Sequence, residues 1–184
     1  MQAEVQSDYV PATEYLAAEE ASDVRHEYLG GLIYAMAGET RAHNTIALNL
    51  ATLIRQSLKA PCKLYMEGIR VNFQVREDDY YYYPDIVVTC DTRDNDSRFV
   101  KHPKLIIEVL SESTERVDRR EKFFAYTTIE SLEEYVLIAQ SSAEAIVFRR
   151  ANGWRLEKVG GVDASLSLDC LQIKLPLAGV YEGI

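Results

Sequence analysis

At 184 residues, with 47% hydrophobic and 27% charged residues, the chain is long enough for one domain with a full core, too short for two, and too apolar to be disordered. A formal net charge of −9 argues against a broad basic surface for gripping nucleic acid, since that binding depends on neutralising phosphates with Lys and Arg. A local basic patch, a partner, or a cation held among carboxylates would have to offset the imbalance.

Residues 1–12 read as a loose arm, and 13–184 as a single domain. Met1 to Asp8 is polar and lacks the apolar centre of a signal peptide, and no apolar run approaches the roughly 18 residues needed to span a bilayer. These features predict a soluble, cytoplasmic protein. Thr13 is the expected N-cap of a short helix through Glu20. Arg25 to Met36 then reads as two strands about a turn at Leu29-Gly30-Gly31, with Glu27 on the first.

Thr40 caps the clearest helix, in which Ile46, Ala47, Leu50, Leu53, Ile54 and Leu58 recur at three and four until Pro61. His43 falls on its inward face. It reads equally as a core histidine and as a site residue. Lys63 to Met66 and Ile69 to Val75 are predicted strands. Tyr80 to Tyr83 and Asp85 to Thr89 are extended on either side of Pro84. The tyrosine run favours strand packing over a platform for stacking bases. Asp91 to Ser97 is polar, aperiodic and predicted mobile. Cys62, Cys90 and Cys170 are odd in number, far apart and without a C-x-x-C pair, so they read as small buried apolar residues rather than a disulfide framework or zinc site.

Lys104 to Leu110 is a strand of nearly continuous apolar character, which implies cover on both faces. A helix from about Arg116 to Thr127 follows. Asp118, Lys122 and Tyr126, spaced by four, share one face of it. Arg116, Arg119 and Arg120 are the best local basic patch, or else a solvated face. Strands at Glu134 to Ala139, Ala143 to Arg149 and Trp154 to Lys158, with a closing segment from Leu166 to Leu177, complete the chain.

Asp85 opens one strand and Glu108 lies near the end of another. If the two are antiparallel neighbours, both carboxylates reach the same rim of the sheet. A carboxylate inside an apolar strand costs several kcal/mol, as an order of magnitude, unless paired, protonated or metal-bound. A hard divalent cation removes that cost and supplies phosphodiester chemistry. Lys122, read blandly, is a solvated charge paired with Asp118. Beside two carboxylates it becomes a group that stabilises developing negative charge.

The order Pro84-Asp85, Ile107-Glu108-Val109-Leu110-Ser111, Ser113-Thr114, Asp118, Lys122, Tyr126 resembles the Uma-two family of restriction-endonuclease-like proteins, a branch of the PD-(D/E)XK nuclease superfamily. The superfamily's usual lysine position holds Leu110 here, and the lysine has migrated to the following helix. Glu112 and Val136 depart from the residues common in the family. The resemblance implies a restriction-endonuclease-like α/β (α+β) fold, with a central mixed sheet flanked by helices and extra C-terminal strands. It implies Asp85 and Glu108 as ligands of Mg²⁺ or Mn²⁺, with the Val109 carbonyl as a third. It further implies Lys122 as the catalytic lysine, Glu27 and His43 as accessory active-site residues, and a homodimer acting on nucleic acid, DNA first. The expected activity is endonucleolytic. The rival readings are a nuclease fold without turnover that serves as an interaction protein, and a metal-dependent hydrolase of small phosphoesters.

Overall fold

The computed structural model describes residues 9–36, 38–111 and 118–184, the side chains of Asp118 and Arg119 excepted. Residues 1–8 of the expected arm, and Arg116, lie outside the described residues.

Two sheets share the work of the expected central one. The first has strand order β2-β1-β5-β4-β7, formed by β1 (His26–Leu29), β2 (Leu32–Ala35), β4 (Arg70–Val75), β5 (Asp78–Tyr82) and β7 (Phe99–Val100). The second has order β11-β10-β9-β8-β6-β3, from β3 (Lys63–Met66), β6 (Ile86–Thr89), β8 (Pro103–Leu110), β9 (Glu134–Ala139), β10 (Glu144–Arg149) and β11 (Leu156–Gly160). A hairpin of β12 (Ser165–Leu168) and β13 (Ile173–Pro176), then a short helix α4 (Leu177–Val180), close the chain. Here α1 is Ala12–Ala21, α2 Arg41–Ser57 and α3 Phe123–Tyr126. The chain passes from the first sheet to the second at Tyr83-Pro84-Asp85, where proline cannot donate to a ladder.

The second sheet is covered on both faces, as its apolar strands require. Ile86 and Val88 of β6 and Leu105, Ile107 and Val109 of β8 pack with Ile46, Leu50 and Ile54 of α2. Val87, Ile106 and Leu110 pack on the other side with Ala125 and Tyr126 of α3. Full burial of Ile46, Leu50 and Ile54 holds α2 down with about 1.5–3 kcal/mol per side chain. β8 and β9 are parallel, so the chain between them must cross over the sheet. That crossover carries Lys122. It places the lysine above the C-terminal half of β8, where Glu108 stands.

Several expectations need correction. The first helix begins at Ala12 after an extended Pro11 (φ −59°, ψ 144°), whose carbonyl accepts from the N–H groups of Glu14 and Tyr15. Thr13 is therefore inside the first turn and not its cap. The lysine segment is not a regular helix, since Asp118–Lys122 forms a π-helical turn that runs into α3. Such wide turns are rare and frequently fall at functional sites. Cys62 and Cys90 form a disulfide. Antiparallel pairing of Lys63 with Thr89 brings the two cysteines opposite each other one step further on, a proximity that their sequence separation of 28 conceals.

The Asp91–Ser97 segment, expected to be mobile, is fastened by Asp94. This buried carboxylate accepts from the N–H groups of Lys101 (2.8 Å) and His102 (3.1 Å) and from the Thr89 hydroxyl (2.6 Å). Tyr81, Tyr82 and Tyr83 are buried and pack within the sheets. No helix among the described residues is long and apolar enough to cross a membrane.

Candidate active site

Register fixes the centre of the site. Ile86 pairs with Ile107 in the antiparallel β6–β8 ladder, so Asp85 meets Glu108 one step beyond. The two carboxylates are 7% and 3% exposed. The Asp85 N–H donates to Glu108 Oε2 (3.4 Å), and the Val109 N–H donates to Asp85 Oδ2 (2.6 Å). Each acid is thus held by the backbone of the other's strand. The contact Val109 makes with Asp85 is through its N–H.

Lys122 reaches this centre from the crossover. Its ammonium, on a side chain almost wholly buried, stands 3.1 Å from Glu108 Oε1 and 3.0 Å from Glu27 Oε1. It also lies 5.5 Å from the centre of the Tyr82 ring, whose face attracts a cation. Leu110 packs into the apolar layer that also holds Ala125 and Tyr126. One helical turn later, the Tyr126 hydroxyl donates to Glu108 Oε1 (3.2 Å). Burial, then the neighbouring Glu108 charge, pushes the Tyr126 phenol well above its usual range, so it remains a donor at every working pH.

Glu27 comes from the other sheet. Its Oε1 accepts from the Tyr83 N–H (3.2 Å) as well as meeting Lys122, which joins β1 to the residue just before Pro84-Asp85. His43, 5% exposed, lies at the start of α2, where the Thr40 hydroxyl accepts from its N–H (3.1 Å). Its Nε2 stands 3.2 Å from Asp85 Oδ2 and its Nδ1 3.1 Å from Glu39 Oε2. Burial opposes charge on this imidazole, but the hydrogen bond and charge of Asp85, with Glu39 and Glu67, outweigh it and raise the His43 pKa above its ordinary value. Burial also raises the Glu39 pKa, against the pull of His43.

The structure therefore brings Glu27, His43, Asp85, Glu108 and Lys122 into one connected cluster. It does not do the same for the arginines: Arg120 is exposed on the turn that carries Lys122, the Arg119 side chain is not described, and Arg116 is outside the described residues. Two members have no role legible in the sequence. The spacing puts Tyr126 on the lysine's face but names no partner for it, and no motif marks Glu39. The signal for Glu39 was its spacing of four from His43, masked because Thr40 caps the helix between them. Glu39, His43 and Asp85 each offer one ligand atom, all within 4.8 Å of one another.

Two buried acids on opposed strands, a buried lysine between one of them and Glu27, and a mixed sheet with helical cover define a restriction-endonuclease-like protein. The chain matches the Uma2 family, described as “Putative restriction endonuclease”, over residues 12–178. It belongs to that family. It is 33% identical over 175 residues to “Uncharacterized protein slr1290” of Synechocystis sp. (strain ATCC 27184 / PCC 6803 / Kazusa), covering 93% of this chain and 90% of that protein. It is 30% identical over 168 residues to “Uncharacterized protein sll1609” of the same organism, covering 88% and 94%. A crystal structure from Anabaena variabilis ATCC 29413, titled as a putative nuclease belonging to DUF820, superposes with a TM-score of 0.78 at 18% identity, over 94% of this chain and 97% of the other. That likeness establishes the fold.

Proposed function

We propose that the protein is a metal-dependent endonuclease that hydrolyses phosphodiester bonds of nucleic acid, DNA first. The observation that carries this reading is the position of the Lys122 ammonium, 3.1 Å from Glu108 and 3.0 Å from Glu27. Although Leu110 stands where the superfamily's lysine usually does, a buried cation still meets the second acid.

The donor set fits a hard divalent ion, because Asp85 and Glu108 present carboxylate oxygens from facing strands in a setting that penalises unbalanced charge. Asp85, Glu108 and the Val109 carbonyl would hold Mg²⁺ or Mn²⁺, which supplies Lewis acidity and a more acidic bound water. The chain's own groups do the rest. Tyr126 and Lys122 both act on Glu108 Oε1 and so fix the carboxylate's rotation. Glu27 anchors the ammonium, which is aimed to stabilise charge that develops on a phosphate oxygen. His43 restrains Asp85. Arg120, with Arg116 and Arg119 near it in sequence, would contact the nucleic-acid backbone, and a homodimer would present two centres to a duplex. Sedimentation of the protein with and without DNA tests the latter, and a monomer throughout refutes it.

The deciding experiment is cleavage of supercoiled and single-stranded DNA in Mg²⁺ and Mn²⁺, alongside Asp85→Ala and Lys122→Ala. Cleavage lost in both variants supports the nuclease and its migrated lysine. A folded, metal-bound parent without activity on either substrate favours the interaction protein, the reading to which the net charge of −9 lends weight. Turnover of a small phosphodiester but not DNA favours the small-substrate hydrolase.

A further inference from the structure

Glu39 has no part in the chemistry described above, yet it converges on Asp85 through His43. The His43 side chain is buried, and its Nδ1, shielded from solvent, makes no hydrogen bond. The nitrogen nevertheless stands 3.1 Å from Glu39 Oε2. An orphaned buried nitrogen beside a carboxylate oxygen, out of line for a hydrogen bond, is costly unless something between them satisfies both. The separation is that of two adjacent ligands around a six-coordinate ion, since bonds of about 2.1 Å at right angles set neighbouring donors about 3.0 Å apart. Asp85 closes the group within 4.8 Å.

We propose that Glu39, His43 and Asp85 form a second cation position that takes a divalent first-row transition ion such as Mn²⁺ in preference to Mg²⁺. The position shares Asp85 with the Asp85–Glu108 pair but lies on the α2 side of it. A donor set of two carboxylate oxygens and one imidazole nitrogen differs from the all-oxygen environment that suits Mg²⁺, and the nitrogen shifts preference toward transition ions. Glu67 adds to the negative field there. Its N–H donates to the Asp85 carbonyl (3.2 Å), and its charge acts on both His43 and Glu39.

The inference deepens the metal-dependent reading, but its test does not depend on turnover. Purified full-length protein without nucleic acid is titrated with Mn²⁺ and, separately, Mg²⁺, and the Mn²⁺ complex is examined by pulsed electron paramagnetic resonance for coupling to a directly bound ¹⁴N nucleus. The expected result is tighter binding of Mn²⁺ than Mg²⁺ and a nitrogen coupling that His43→Gln abolishes. Glu39→Gln, at a side chain 31% exposed and so compatible with folding, should weaken Mn²⁺ about 10- to 100-fold and leave Mg²⁺ affinity unchanged. Absence of nitrogen coupling in the parent, or a Glu39→Gln variant that binds Mn²⁺ as the parent does, overturns the proposal. Nitrogen coupling in a protein that cleaves nothing would sink the nuclease and leave this site standing. Cleavage without nitrogen coupling would do the reverse.

Discussion

Replacing Lys122 with methionine preserves most of the side-chain volume and removes only the ammonium, so its consequences isolate charge from packing. Lys122 is 6% exposed, and Glu27 Oε1 and Glu108 Oε1 lie 3.0 and 3.1 Å from its Nζ. Without that cation, two carboxylates with side chains 12% and 4% exposed face each other across a low-dielectric gap. Breaking a buried pair in this way costs about 3–5 kcal/mol, against a total stability for a domain of about 5–15 kcal/mol. With a urea slope of about 2 kcal/mol/M, the unfolding midpoint should fall by roughly 2 M. The double variant Glu27→Gln/Lys122→Met should recover part of the loss, with a coupling of at least about 1 kcal/mol between the two positions. Urea denaturation of the parent, both single variants and the double variant gives all the terms. A Lys122→Met midpoint equal to that of the parent, or strict additivity in the double variant, would refute the claim that Lys122 balances these acids.

Other consequences are open to measurement. Tyr126→Phe removes a fully buried hydroxyl that donates to Glu108, and should cost about 1–3 kcal/mol in chemical denaturation with no change in secondary structure by circular dichroism. Reduction of the Cys62–Cys90 bridge, or Cys62→Ser, should lower stability by about 3 kcal/mol, seen as a drop in melting temperature on adding dithiothreitol that the Cys62→Ser variant no longer shows. Asp94→Ala strips the acceptor from Lys101, His102 and Thr89. It should cost about 2–3 kcal/mol through the unsatisfied N–H groups, and hydrogen exchange should quicken at residues 101 and 102 ahead of the rest of the chain.

What the sequence disclosed best was whatever depends on local order. The three-and-four spacing from Ile46 to Ile54 gave α2 its buried face, and the uninterrupted apolar run before and after Glu108 implied the two-sided cover found for β8. The pairing of Asp85 with Glu108 was legible only on the condition that their strands are antiparallel neighbours, an adjacency that the β6–β8 ladder supplies. What stayed hidden depends on contacts between distant segments. Nothing near Cys62 or Cys90 announces the bridge, which arises only once β3 pairs with β6. Glu39 lies across a helix cap from His43, and helical spacing cannot be extended through a residue whose backbone is extended. The division into two sheets turns on the break at Pro84, which sequence alone reads as an interruption and not as a change of sheet.

That break has a consequence for how the molecule could respond to what it binds. Glu27 belongs to one sheet, while Glu108 and the crossover bearing Lys122 belong to the other. In the proposed nuclease the same ammonium would be both a clasp between the two halves and the group offered to an incoming phosphate. A phosphate that drew it away from Glu27 would loosen the clasp, and departure of the product would let it close again. Occupancy of the site would then be felt at the Tyr83-Pro84-Asp85 crossing as a change in the angle between the sheets, a movement that distance probes placed on β2 and β10 would register.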